Sequence, residues 1–141
     1  MLKLDIAGIE KDKGKTFHVE ADEKIFVSMK LGDVITGKDI SKELNGYEFV
    51  LTGASDNAGF PALASLDVIG RKRLLLVYGK GMRQRKPRGL RLRKTVRGNT
   101  ISADIAQINL RVKKQGEKPL SEIYAKKEEK AEEAAGTEQQ Q

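Results

Sequence analysis

A chain of 141 residues with 27 Lys and Arg, 20 Asp and Glu and a formal charge of +7 is sized for one domain with a small core. It holds no Cys and one His, which excludes disulfides, thiolate metal sites and cysteine nucleophiles and leaves too little imidazole for most zinc or general-base chemistry. Its opening residues meet charge at Lys3 and never run apolar for long, so no secretory signal and no membrane span is expected, and the expected location is the cytoplasm.

In chain order, period-two alternation comes first. Leu2, Leu4 and Ile6 share one side, as do Phe17, Val19 and Ala21 in TFHVEA and Tyr47, Phe49 and Leu51 in GYEFVL; each set predicts a short, half-buried strand. Between them, DEKIFVSMKLG sets Ile25, Phe26 and Met29 at helical spacing, with Asp22 as N-cap and Gly32 as stop, which predicts one short helix. LTGASDNAGFP then reads as a Gly-rich turn, ALASLDVIG as a strand, and the continuous apolar run in KRLLLVYG as a strand buried on both sides.

From Gly79 the character changes. Gly79, Gly81, Pro87 and Gly89 punctuate a stretch with few apolar anchors, predicting a long loop or hairpin tip over residues 79–94. Beyond it, Ile101, Ala103 and Ile105 lie on odd positions and Ala106, Ile108, Leu110 and Val112 on even ones. That parity switch predicts a bulge, bend or new strand near Ile105 and Ala106. Many short strands, Gly-rich turns and little helix predict a mainly β fold, a small antiparallel β-barrel over residues 1–116 with at most one short helix inside. Residues 117–141 form a charged tail in which Ala, Glu and Lys favour helix, while Glu128 with Glu132 and Glu129 with Glu133 oppose it. A frayed helix or disordered segment is expected there.

The loudest signal is electrostatic. From Val68 through Ala103 there is no Asp or Glu, although about five would fall there by chance. The same window carries Arg71, Lys72, Arg73, Lys80, Arg83, Arg85, Lys86, Arg88, Arg91, Arg93, Lys94 and Arg97, and the rest of the chain sets 15 bases against 20 acids. A charge run is often only a solvated face. Here, however, each close cation pair costs several tenths of a kcal/mol at modest salt, so one shape needs a polyanion to hold it. Nucleic acid is the expected partner. Arg outnumbers Lys in the window, and its planar fork matches phosphate and stacks on bases. With no Trp in the chain and Tyr78 the one aromatic of the segment, a base-stacking platform is poorly supplied, and recognition by shape and backbone is expected. Residues 79–94 fully extended span at most about 50 Å, so a hairpin made from them reaches roughly 25 Å.

Other motifs carry less. YGKGM lacks the third glycine and following helix of a dinucleotide site, and no Gly-Lys-Ser/Thr phosphate loop occurs. His18 alternates away from Phe17 and Val19 and reads as a surface residue. Ser55, Asp56 and Asp67 are conceivable catalytic partners, but nothing completes a triad. SDN reads instead as turn chemistry, with Asp56 and Asn57 bonding local backbone. No cofactor, metal or small-molecule substrate is expected.

Four ordered segments resemble one family: LNGYEFVLTGASDNAGFP from Leu44 to Pro61, GRKRLLL from Gly70 to Leu76, RKTVRG from Arg93 to Gly98 and INLRVKKQGE from Ile108 to Glu117. They are similar to small-subunit ribosomal protein six of archaea and eukaryotes, unrelated to the bacterial protein of that number, and the likeness runs from about Met1 to Leu120. The resemblance implies a barrel-type structural component of the small subunit that touches ribosomal RNA through its basic loop, beside neighbouring ribosomal proteins, with no enzymatic role. It makes Arg71 to Arg73 and Arg83 to Arg97 the RNA-contacting positions. Larger eukaryotic members carry a long basic helix and phosphorylated serines at the tail; here the tail has more Glu than Lys and only Ser121. The short form resembles the archaeal one, and its acidic end should face solvent. The isolated chain is expected to be a monomer, and a free-standing RNA-binding regulatory module is the competing expectation.

Overall fold

The computed structural model describes residues 2–9, 12–116 and 118–124. Seven strands form in order: β1 (Leu2–Ala7), β2 (Thr16–Ala21), β3 (Val34–Thr36), β4 (Glu48–Asp56), β5 (Arg71–Leu76), β6 (Leu92–Arg97) and β7 (Ile105–Lys114). Five of them make one sheet in the order β2-β1-β7-β4-β3, and β5 pairs β6 separately. The fold is mainly β, as the alternation predicts.

Two details differ from an antiparallel barrel. β1 and β7 run parallel, a pairing of the first and last strands that local patterning cannot encode. The sheet is also open: β3 is three residues long and pairs only with β4, and no ladder joins it to β2 among the described residues.

β7 sits at the centre, and its apolar alternation explains why. Ile105, Ile108, Leu110 and Val112 are buried with Leu2, Leu4 and Ile6 of β1 and Phe49 and Leu51 of β4. Each such side chain contributes about 1.5–3 kcal/mol by leaving water. The opposite face is polar, with Gln107 bonded to Asp5 and Thr52 Oγ1 donating to the Asn109 carbonyl at 3.0 Å. The new strand expected at the parity switch begins at Ile105.

The inner face is covered by irregular chain carrying Phe26, Leu44, Tyr47 and Ile101. The helix expected within residues 22–32 shrinks to a 3-10 turn, Glu23–Ile25, with no side-chain capping bond from Asp22. The reason lies in the main chain. Leu31 N–H donates to Asn99 and Ile101 N–H donates to Met29, so groups that a helix would use are paired with residues 99–101. The four-residue helix α1 (Gly37–Ile40) forms instead, followed by a 3-10 turn, Lys42–Leu44.

A second helical stretch covers residues 120–124. It belongs to the body: Leu120 is in the core, and Tyr124 stacks on Phe17 with centroids 5.1 Å apart. Burial pushes the Tyr124 phenol up to about 12, with Glu43 adding to the shift. The tail expected from residue 117 thus packs over its first turn, and the rest of it lies outside the described residues.

Candidate nucleic-acid interface

The cationic window folds as the β5–β6 hairpin, with Arg71 opposite Arg97, Arg73 opposite Thr95 and Leu75 opposite Arg93. Its mount is the segment 60–63. Ala62 N–H donates to Ala54 and Asp56 N–H to Phe60, tying that segment to the end of β4. On its other side Arg97 N–H donates to Pro61 and Leu63 N–H to Arg97, tying it to the end of β6. ALASLDVIG therefore supplies a single bridge, Ala62 to Arg97, in place of the strand expected there. Gly98 closes the corner: a Cβ on it would lie 1.6 Å from the Val68 carbonyl oxygen, so no other residue fits.

Side chains lock this corner. Asp56 Oδ2 accepts from Arg97 Nη1 and from Arg71 Nε, each at 2.6 Å. Arg97 Nη2 also reaches Asp104 Oδ2 at 2.9 Å and bonds the Ser102 hydroxyl. The hydrogen bond from Arg71, joined by that from Arg97, outweighs burial and holds the Asp56 carboxyl down at about 2. Asp56 Oδ1 and Arg97 Nε have no partner among the described residues. Asp56 is consequently an ion-pair anchor; its side chain does not make the local turn bonds expected of SDN, whose turn is closed by main chain, Gly59 N–H to the Asp56 carbonyl.

What aims Asp56 inward is a register slip. The β4–β7 ladder shifts between Leu51 and Gly53, and burial passes from Phe49 and Leu51 to Ala54 and Asp56. A glycine inside a strand marks such a bulge, and Gly53 was the one sign of it in the sequence.

The twelve candidate cations divide. Arg97 is 2% exposed and consumed by the anchor, which removes it from the surface set. Arg71 is half exposed, shared between Asp56 and the Phe60 ring 5.2 Å away. Lys72, Arg73, Lys80, Arg83, Arg85, Lys86, Arg88, Arg91, Arg93 and Lys94 are all exposed. Among the described residues none of those ten makes an ion pair.

The expected loop is shorter than residues 79–94, because 92–94 belong to β6. Its root also folds back. Gly79 bridges Met82, Met82 is buried, and Lys80 Nζ donates to the Thr52 carbonyl at 3.5 Å. Gly81 has φ 86°, and a Cβ on it would lie 3.2 Å from Leu76, 3.3 Å from Val96 and 3.7 Å from Pro61. The strand expected to be buried on both sides is buried on one: Leu74 and Leu76 are half-buried, while Leu75 and Val77 face solvent, since no second layer covers that face among the described residues.

The remaining sequence candidates stay apart. His18 is exposed and pairs with Asp5 at 2.6 Å. Asp67 pairs with Lys30 at 2.9 Å on the surface, and the lysine holds its carboxyl below the usual range. Neither approaches Ser55 through any side-chain bond among the described residues. No cluster of His, Cys, Asp or Glu suited to a metal occurs among the described residues, nor is any described helix long and apolar enough to cross a membrane.

The family model described as Ribosomal protein S6e matches residues 2–125. The small ribosomal subunit protein eS6 of Methanosphaera stadtmanae is 41% identical over 128 residues, covering 89% of this chain and 96% of its own. That of Archaeoglobus fulgidus is 45% identical over 109 residues, 77% of this chain and 83% of its own. That of Methanocaldococcus jannaschii is 40% identical over 110 residues, 78% and 82% respectively.

Proposed function

We propose, from the premise that the chain belongs to the ribosomal protein S6e family, that its cationic hairpin is the surface by which it holds small-subunit ribosomal RNA. The chain is a structural constituent of the small ribosomal subunit and not an enzyme. Its place is on the ribosome, in the cytoplasm, with ribosomal RNA and adjacent ribosomal proteins as partners.

One observation supports the RNA contact above others: ten exposed cations, without a carboxylate partner among the described residues, stand on a hairpin whose base is fixed by the buried Arg97–Asp56 ion pair. The base needs no ligand to be ordered, because Asp56 and Asp104 neutralise Arg97 within the protein. The cations beyond it have no such relief, and phosphate supplies it. Arg83, Arg85, Arg88 and Arg91 are placed in that role, together with Lys72, Arg73, Lys80, Lys86, Arg93 and Lys94.

Replacing Arg85, Arg88 and Arg91 together by Ala tests this. All three are exposed, so the melting temperature should shift by no more than a few degrees, since each such surface change falls within about 0.5 kcal/mol. Retention on small subunits through a moderate-salt gradient should drop. Unchanged retention would count against the assignment, and migration of the unaltered protein as a free monomer would favour an independent RNA-binding module.

A further inference from the structure

We infer that Tyr78 and Arg85 form a seat for one unpaired nucleobase of the RNA. The inference rests on the RNA-interface reading and adds a ligand class to one point of it. The chain has four Phe, three Tyr and no Trp. Phe26, Tyr47 and Phe49 are buried, Phe17 and Tyr124 stack on each other, and Phe60 lies under Arg71. Tyr78 alone among the aromatic residues stands more than half exposed, at 53%.

The ring is not idle. The Arg85 guanidinium carbon lies over it, 4.3 Å from the centroid, which sets a cation against an aromatic face at the root of the loop. Such a pair offers what a base stacks on: a π surface beside a guanidinium. The surrounding sequence sets the chemistry of what stacks there: Lys80 and Arg83 follow Tyr78 within five residues, Arg93 pairs across the hairpin with Leu75, and no acid occurs between Val68 and Ala103. A backbone-only binder has no use for an exposed ring there. A paired base is already stacked on its neighbours, so the seat takes a bulged or looped base, without strong preference for its identity.

The test uses the full chain and two RNA stems that differ by one bulged 2-aminopurine. Stacking is worth about 1–3 kcal/mol per base, so the bulged stem should bind between about fivefold and a hundredfold more tightly, with its fluorescence quenched. Tyr78→Ala should abolish that preference and leave affinity for the paired stem and its salt slope unchanged; Tyr78→Phe should keep it. Equal binding of the two stems, an unquenched probe, or a Tyr78→Ala variant weakened equally on both would overturn the seat while leaving the cationic interface standing. Failure of the unaltered protein to bind either stem would overturn the interface and the seat together. In intact small subunits, ultraviolet crosslinking of Tyr78 to a protein in place of a nucleotide would also overturn the seat.

Discussion

Arg97 carries the same guanidinium as Arg85, Arg88 and Arg91, yet its surroundings give it the opposite task. It is buried with Asp56, Ser102 and Asp104 as partners, whereas the other three face solvent. Removing one member of a buried pair leaves an uncompensated charge, so Arg97→Ala should lower unfolding free energy by about 3 kcal/mol or more in urea titration. Arg97→Lys should rescue little, because one ammonium cannot reproduce a fork that reaches three side chains. Asp56 adds a pH dependence. Its carboxyl is held at about 2 against an ordinary 3.8, so the folded state is stabilised in full above that ordinary value. The gain, about 2 kcal/mol, fades as pH falls from about 4 through 2, where the folded state must take up the proton as the unfolded one already has. Acid titration monitored by circular dichroism should show this slope, and Asp56→Asn should flatten it while lowering stability at neutral pH. An identical slope in the variant would dismiss Asp56 as its source.

The hairpin is the element in which these residues act, and its order depends on what lies beneath it. Met82 is buried, and a Cβ on its neighbour Gly81 would crowd Leu76 and Val96, so the loop root is pinned by packing rather than by charge. Met82→Ala should cost about 2 kcal/mol or more locally, speeding hydrogen exchange at amides of β5 and β6 while β1, β4 and β7 stay protected; uniform loss of protection would contradict a separable hairpin. The strands of the large sheet were legible because one face is buried, which forces Leu2, Leu4 and Ile6, or Phe49 and Leu51, onto a period of two. The end of β4 was not, since the slip at Gly53 reverses the parity and turns Asp56 from an apparent turn residue into an anchor. Leu74 to Leu76 misled for a different reason: a run of leucines reports apolarity but not how many layers will cover it. Arg97 was hidden among its neighbours, because a list of cations does not say which one meets a carboxylate brought from β4.

At the scale of the molecule, charge is divided between the hairpin window and the rest of the chain. Outside the window the chain holds 15 bases against 20 acids, so the polyanion that attracts the hairpin finds no net attraction there. On the proposed RNA contact, that asymmetry would turn the hairpin toward the RNA before any contact forms. Its strength is measurable as counterion release. If six to eight of the ten exposed hairpin cations meet phosphate, binding to a small-subunit RNA fragment should weaken about a thousandfold or more between 50 and 200 mM salt. The Arg85, Arg88 and Arg91 triple alanine variant should reduce the logarithmic slope by about three. Arg97→Ala should lower the fraction of folded protein yet leave the slope of the folded fraction intact, because Arg97 spends its charge on Asp56 and Asp104 and has no counterion to release. A slope that fell with Arg97 would mean that its ion pairs exchange for phosphate on binding, and the fixed base of the hairpin would have to be given up.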